Sequence, residues 1–366
     1  MRLQEIIVEL EALAPPQLAE AWDNTGLLLG DRATDIQRAM TCLTLTPDVV
    51  AEAIARNVQL VITHHPLMFK PIQRVTADTL EGQTLWHLTC HGIAVYSPHT
   101  AWDNAPFGIN QQLAELFELK EISPLRRQMS PAGYKLVTFV PTENLEAVQR
   151  TLWDAGCGEI GNYSCCSFVT PGRGSFWGND STNPAVGQSG QLERVEELRL
   201  EVVCPKSCLA KALSALRTAH PYEEAAIDVI PLEPQPSTQG AGRQGTLGRP
   251  ITLSELAGMV RERLNATSVQ FVGDPHGKIS RVGMACGAAA EFWKDAQRAG
   301  CDVLITGESR FHGAIEVRDA GFSMILAGHY ATERFGMERL ASLLAEHCLG
   351  LTVTASQWEH DPVQSL

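Results

Sequence analysis

The sequence predicts an α/β fold: two duplicated βαβ-rich halves with mostly parallel sheets form one core, and an α+β domain is inserted between them. Three observations predict it. Short apolar, β-branched runs alternate with amphipathic helical stretches at both ends of the chain, which is the pattern of βαβ units. The two ends also parallel one another, RNVQLVITHH (56 to 65) with GCDVLITGE (300 to 308), and IAVYSPHTAWD (93 to 103) with SMILAGHYATE (323 to 333). The middle of the chain has a different rhythm, and 366 residues exceed the ~250–300 at which a single hydrophobic core stops growing. Residues 1–130 and 239–366 are therefore expected to be the two core halves, and 131–238 the insert.

In order, the first half opens on a helix with Leu3, Ile6, Ile7, Leu10 and Leu13 at helical spacing. Asp23, Asn24 and Gly26 make a turn into a short apolar strand. Residues 40 to 46 read as a strand, Pro47 to Arg56 as a helix, and VQLVITHH as a buried strand stopped by Pro66. A helix over 78 to 91 leads to a strand over 93 to 100, and DNAPFGINQQLAELF begins the next helix at Asp103. From Lys120 to Gly133 the pattern dissolves into a candidate boundary.

The insert reads as strand (134 to 140), helix, strand near 160 to 169, a Gly/Asn/Ser-rich loop (171 to 191), strand (198 to 204), helix and strand. That β-α-β-β-α-β order is the ferredoxin-like split βαβ. The loop glycines match neither a Walker loop nor a dinucleotide fingerprint, so the loop is read as structural or a lid. Residues 234 to 250 close the insert as a flexible hinge. The first rhythm then resumes: a helix over 252 to 264, strands SVQFV and ISRVGMAC, and alternating helices and strands to LTVTA.

The chemistry-bearing residues stand at predicted strand ends, the edge where an open parallel sheet leaves its binding crevice. His64 and His65 follow the apolar run 60 to 63. They fit either a metal site or one surface and one core histidine. Asp103 follows His99 by four residues and suits either a helix cap or a metal ligand. His329 and Glu333 repeat that HxxxD/E spacing in the second half.

Bulk properties narrow the classes. With 44% apolar and 19% charged residues the chain has the composition of a soluble globular protein. A net charge of −13 argues against direct nucleic-acid binding and an anionic membrane surface. The N-terminus lacks a signal-peptide pattern and nowhere do 18 apolar residues run together, so a cytoplasmic location is expected. The ten cysteines are scattered and read mostly as small buried hydrophobes.

HHP, HTxxD, TGE and GHYxTE, in this order, resemble the dinuclear-metal-centre family of GTP cyclohydrolase type-2 homologues, the NIF-three-like proteins. AHPYEEAAIDVIPL (219 to 232) resembles the PII/CutA-type fold inserted in longer members. The resemblance implies that His65 and Asp103 bind one metal, that His64 and His329 bind the other, and that Glu333 bridges both. Three histidines and two carboxylates suit two divalent ions of Zn, Fe, Mn, Co or Ni. It further implies a homohexamer built as a trimer of dimers. His99, Glu308 and His312 are candidates for catalytic roles; where relatives often carry a histidine pair after TGE, this chain has one, SRFHGA. Two functions follow: a metal-dependent hydrolase of a nucleotide or phosphoester, or a metal- or metabolite-binding regulatory protein without turnover.

Overall fold

Leu60–Thr63 is a wholly buried strand because both its faces are covered: Leu60 and Ile62 enter one apolar cluster and Val61 another. It is central in a five-stranded sheet ordered Gly26–Leu29, Ala94–Ser97, Leu60–Thr63, Arg38–Cys42, Thr352–Ala355. The last four run parallel, with Leu60 opposite Ala39 on one side and Ala94 on the other. Gly26–Leu29 closes the edge antiparallel. The structure is a computed structural model that describes residues 1–129, 133–161, 163–234 and 236–364. It contains two units, Met1–Gln128 with Thr238–Leu366, and Met129–Ser237.

The second sheet of the larger unit is ordered Gln270–Val272, Ser323–Leu326, Val303–Thr306, Lys278–Met284, Arg243–Thr252, Lys120–Ser123. Only the pairings among Ser323–Leu326, Val303–Thr306 and Lys278–Met284 are parallel. The other three are antiparallel, so this sheet is mixed where a mostly parallel one was expected. After helix Leu253–Arg263 the chain forms the edge strand Gln270–Val272 and then returns beside Arg243–Thr252 with Lys278 opposite Thr252, which makes that pairing antiparallel.

Both sheets turn one face to a shared core. Ile62 and Tyr96 from the first sheet and Val282, Ile305 and Ile325 from the second meet side chains of helices Leu3–Leu13, Ile109–Leu116, Leu253–Arg263 and His329–His347 there. Helices Pro47–Ala55 and Leu80–Cys90 cover the other face of the first sheet, and Trp293–Arg298 and Phe311–Asp319 that of the second. All parallel strands therefore present their C-terminal tips between the layers, where the candidate residues lie. No helix among the described residues is long and apolar enough to cross a membrane.

Several boundaries differ from expectation. The strand before His99 stops at Ser97, and His99 opens a short helix, His99–Asn104, with a φ of 32°. Asp103 lies within this turn and so does not cap a helix; the following helix, Ile109–Leu116, starts after Gly108. The stretches read as a dissolving boundary and a flexible hinge contain strands Lys120–Ser123, Arg126–Met129, Pro236–Ala241 and Arg243–Thr252. Arg126–Met129 is exposed throughout, so it carries no apolar alternation to betray it.

The Met129–Ser237 unit has a four-stranded antiparallel sheet ordered Ile227–Leu232, Gly133–Val140, Leu192–Pro205, Phe168–Trp177. Helices Leu145–Asp154 and Leu209–Ala219 pack on one face through Val148, Leu152, Ala212 and Leu216. Its elements follow as β-α-β-β-α-β. Phe168–Trp177 takes the first residues of the segment read as a glycine-rich loop, and Leu192–Pro205 is longer than expected, because the outer hairpin is largely exposed.

Arg243 anchors the first half to the second. Its buried guanidinium donates to the carbonyls of Gly240, Gly242, Asn104 and Ala105, and to Oε1 of Gln111. Burial draws its pKa down to about 10, which still leaves it charged at neutral pH. Arg243→Met should cost ~3 kcal/mol or more, because several buried carbonyls lose their donor at once. Urea unfolding measures it; a variant as stable as the parent would contradict this role.

Candidate metal centre

Two backbone bonds extend the first sheet beyond Thr63. His64 N donates to Cys42 O at 2.9 Å and His65 N to Leu43 O at 2.9 Å, so both imidazoles are held at the strand tip. Ser97 Oγ adds a 2.7 Å bond to the His64 carbonyl. His64 is wholly buried and His65 partly so. From the second half, His329 begins the helix that follows Ser323–Leu326, and Glu333 lies one turn later on the same face. Glu333 Oε2 stands 3.0 Å from His329 Nε2, 3.2 Å from His65 Nε2 and 3.7 Å from His64 Nε2. Asp103 Oδ1 is 3.5 Å from His64 Nε2, and the Nε2 atoms of His65 and His329 face each other at 3.2 Å.

All five residues expected as ligands thus converge. The structure sets His64 beside Asp103, and His65 beside His329. Successive residues on extended backbone point opposite ways. His64 therefore turns inward to the His99–Asn104 helix, and His65 outward to the helix that carries His329 and Glu333.

The donors fit divalent ions. Ligand atoms of His64, His65 and His99 lie within 4.8 Å of one another, as do those of His65, His329 and Glu333. Neither ring nitrogen of His64 has a hydrogen-bond partner, although both are buried. Orphaned buried polar atoms cost ~1–3 kcal/mol each, and an ion that satisfies them accounts for their persistence. The outer ring nitrogens are held as metal-ligating histidines require. His65 Nδ1 meets Thr44 Oγ1 at 2.7 Å, and His329 Nδ1 meets Glu308 Oε1 at 2.7 Å. Each arrangement leaves Nε2 for the ion.

The sequence matches the Duf34/NIF3 (NGG1p interacting factor 3) family over residues 1–362. The chain belongs to the Duf34/NIF3 family. A Bacillus subtilis relative named "GTP cyclohydrolase 1 type 2 homolog" is 36% identical over 98% of this chain and 97% of its own. A Staphylococcus aureus relative of the same name is 32% identical over the full length of both. Among solved structures, a Bacillus cereus protein related to NIF3 aligns over 100% of this chain and 99% of its own, with 33% identity and a TM-score of 0.77. A Staphylococcus aureus protein aligns equally fully at 29% identity with a TM-score of 0.87.

In this Duf34/NIF3 centre the charges are divided unequally. Burial drives the His64 pKa well below the ordinary imidazole value, so the ring is neutral. Burial also lifts Asp103 to about 7, helped by the negative charge of Glu333. Against burial, Glu333 is held well below the carboxylate range by the surrounding imidazoles. His329, likewise against burial, is raised to about 9 by Glu333 and Glu308. In the ion-free protein Glu333 and Glu308 thus favour a proton on His329, and burial favours one on Asp103. A divalent ion displaces such protons, so ion binding should release protons, and more of them at pH 6 than at pH 8. Calorimetric titration in buffers of different ionisation enthalpy counts them; heats independent of buffer would contradict this charge state.

The remaining candidates divide. His99 is at the site, and Asp23 accepts from its Nδ1 at 2.7 Å and from Thr100 N at 3.1 Å and Oγ1 at 2.5 Å. The sequence showed Asp23 only as a turn residue. Glu308 touches His329 and acts through it. His312 is exposed, lies edge-on against Phe311 and is not among the residues that line the cleft. Cys286 and Gly287 were missed. The Cys286 thiol donates to Asp103 Oδ1 at 3.1 Å, and its backbone N–H donates to Asn110 Oδ1 at 2.9 Å. The available signal was that two apolar strand segments, RAMTC (38 to 42) and RVGMAC (281 to 286), both end on cysteine.

The centre opens into a cleft of about 390 Å³ whose walls include Trp22, Phe69, Phe292 and Arg126. A larger open depression of about 970 Å³, beside Phe271 and Phe311, lies away from these residues and contains none of the convergent donors.

Proposed function

We propose that this Duf34/NIF3 protein holds two divalent ions and hydrolyses a nucleotide or phosphoester with them. The observation that carries the reading is Glu333 Oε2, buried within 3.7 Å of three imidazoles, one of them His64 with both ring nitrogens unpartnered. His64 and Asp103 would hold one ion, His65 and His329 the other, and Glu333 would join them. When bound, such a pair polarises the electrophile and acidifies water enough for attack at neutral pH.

The chain's own groups supply the rest. Asp23 fixes His99 through Nδ1 and leaves Nε2 free to exchange a proton with a leaving group, a contribution of typically ~10²–10⁴-fold. Trp22, Phe69 and Phe292 offer aromatic surface to a planar base, and Arg126 offers a cation to an anionic group. The names of the curated relatives, homologues of a GTP cyclohydrolase, support a nucleotide. The native metal would come from Zn, Fe, Mn, Co or Ni.

The matching order of parallel strands in the two sheets supports reading the halves as duplicates. The β-α-β-β-α-β order supports reading 131–238 as a PII/CutA-like insert, and the family resemblance supports a homohexamer, which light scattering in solution would test. A cleft of about 460 Å³ in the Met129–Ser237 unit, walled by Phe176, Trp177 and Tyr222, favours a second reading as a regulatory ligand binder.

The deciding experiment loads the protein with each metal and screens nucleoside triphosphates and phosphoesters, with His99→Ala as a metal-replete control. Turnover that falls in His99→Ala supports hydrolysis. No turnover by wild type carrying both ions overturns it in favour of the regulatory reading.

A further inference from the structure

The segment Ser356–Glu359 lies at the far end of the sequence from the histidine pair, yet its polar groups converge on the same strand tip. Ser356 N donates to Thr41 O at 2.8 Å, which extends the parallel pairing of Thr352–Ala355 with Arg38–Cys42. Glu52, a wholly buried carboxylate, then accepts from Ser356 Oγ at 2.6 Å, Gln357 N at 2.9 Å and Trp358 N at 3.0 Å. This turn carries the Glu359 carboxylate, 3% exposed, back over the tip of Arg38–Cys42.

Glu359 Oε2 accepts from Leu43 N at 2.9 Å and Oε1 from Thr44 N at 2.7 Å. Beyond the end of a strand these N–H groups have no ladder partner, so the carboxylate is what fixes the backbone there. Both neighbours of those amides reach the metal centre. The Leu43 carbonyl receives His65 N, and Thr44 Oγ1 meets His65 Nδ1. On its other side Glu359 Oε2 is 2.9 Å from Arg334 Nε, the residue after Glu333, and Arg334 also donates to Ser356 O at 2.7 Å. One carboxylate thus ties together the turn that orients His65 and the helix that carries Glu333 and His329.

We infer that Glu359 is a positioning residue of the metal centre: it fixes Thr44, and Thr44 holds the His65 ring so that Nε2 faces His329 and Glu333. With Nε2 committed to an ion, Nδ1 carries the hydrogen and donates to Thr44 Oγ1. The inference rests on the metal reading, and it makes the effect selective. Outer partners of ligating histidines typically contribute 10–100-fold to metal affinity. Loss of Glu359 should weaken the ion beside His65 and His329 by about that factor and leave the ion beside His64 and Asp103 in place, because His64 is held separately by Ser97 and Cys42.

The test compares wild type, Glu359→Ala, Thr44→Val and Thr44→Ser by zinc titration, with ¹⁵N NMR of the histidine rings and urea unfolding of the ion-free proteins. Two sites in wild type, one retained and one weakened about 10–100-fold in Glu359→Ala and Thr44→Val, and recovery in Thr44→Ser would support the inference. Glu359→Ala that unfolds at lower urea but keeps both affinities overturns it, and so does equal weakening of both sites. Wild type that binds no zinc instead defeats the metal reading. In that case the His65 ring signals still decide the positioning role, since they must move in Glu359→Ala if it holds.

Discussion

Glu333→Ala should bind neither ion. A carboxylate shared by two divalent ions offsets charge at both positions, and two cations a few ångströms apart repel strongly without it. Loss of about 100-fold or more in affinity is expected at each site, a larger effect than loss of an outer partner. Asp103→Ala should differ by weakening mainly the ion beside His64. Glu333 also stabilises the ion-free protein, in a direction set by its depressed pKa. Its contribution is present above the ordinary carboxylate value of 4.5 and is lost as pH falls towards its lowered folded value. The stability difference between ion-free wild type and Glu333→Ala should therefore shrink in acid. Urea unfolding across that range checks the sign, and a difference that grows in acid would contradict it.

Gly287→Ala should disable the centre without touching a ligand. Gly287 has a φ of +64°, and a Cβ there would overlap Glu333 Oε1 and lie 3.2 Å from His329 Nε2. Its backbone cannot retreat: Gly287 N donates to Thr332 Oγ1 at 3.1 Å, and its carbonyl accepts from Thr306 Oγ1 at 3.1 Å and from Gly307 N at 2.9 Å. The carboxylate must move, and with it the feature that both ions require. Gly300→Ala is the control, since Gly300 has a similar φ of +74° but open space at its Cβ. Both variants should lose ~1–3 kcal/mol to backbone strain. Only Gly287→Ala should lose metal, and elemental analysis of the two separates strain from obstruction.

What the sequence disclosed follows from where apolar side chains go. Strands buried on both faces, such as Leu60–Thr63 and Val303–Thr306, are continuous β-branched or apolar runs and stood out, as did the residues just after them. Edge strands such as Arg126–Met129 bury little, so no apolar pattern separates them from connections. The five ligand candidates were legible through the resemblance carried by HHP, HTxxD and GHYxTE, each placed at a predicted strand tip. Which imidazole turns inward was not, because it depends on the neighbouring tips. Asp23 reaches His99 across 76 positions of sequence, and Glu359 reaches Thr44 across 315, contacts that no local spacing encodes. Cys286 is buried, as expected of most of the cysteines, and nothing local in the sequence marks its contact with Asp103.

The most direct test is a crystal structure of the wild-type protein grown with zinc, with anomalous scattering used to locate each ion. Two peaks per chain are expected, one between His64 and Asp103, one between His65 and His329, and Glu333 in contact with both. A single peak, or Glu333 bound to neither ion, would contradict the dinuclear centre.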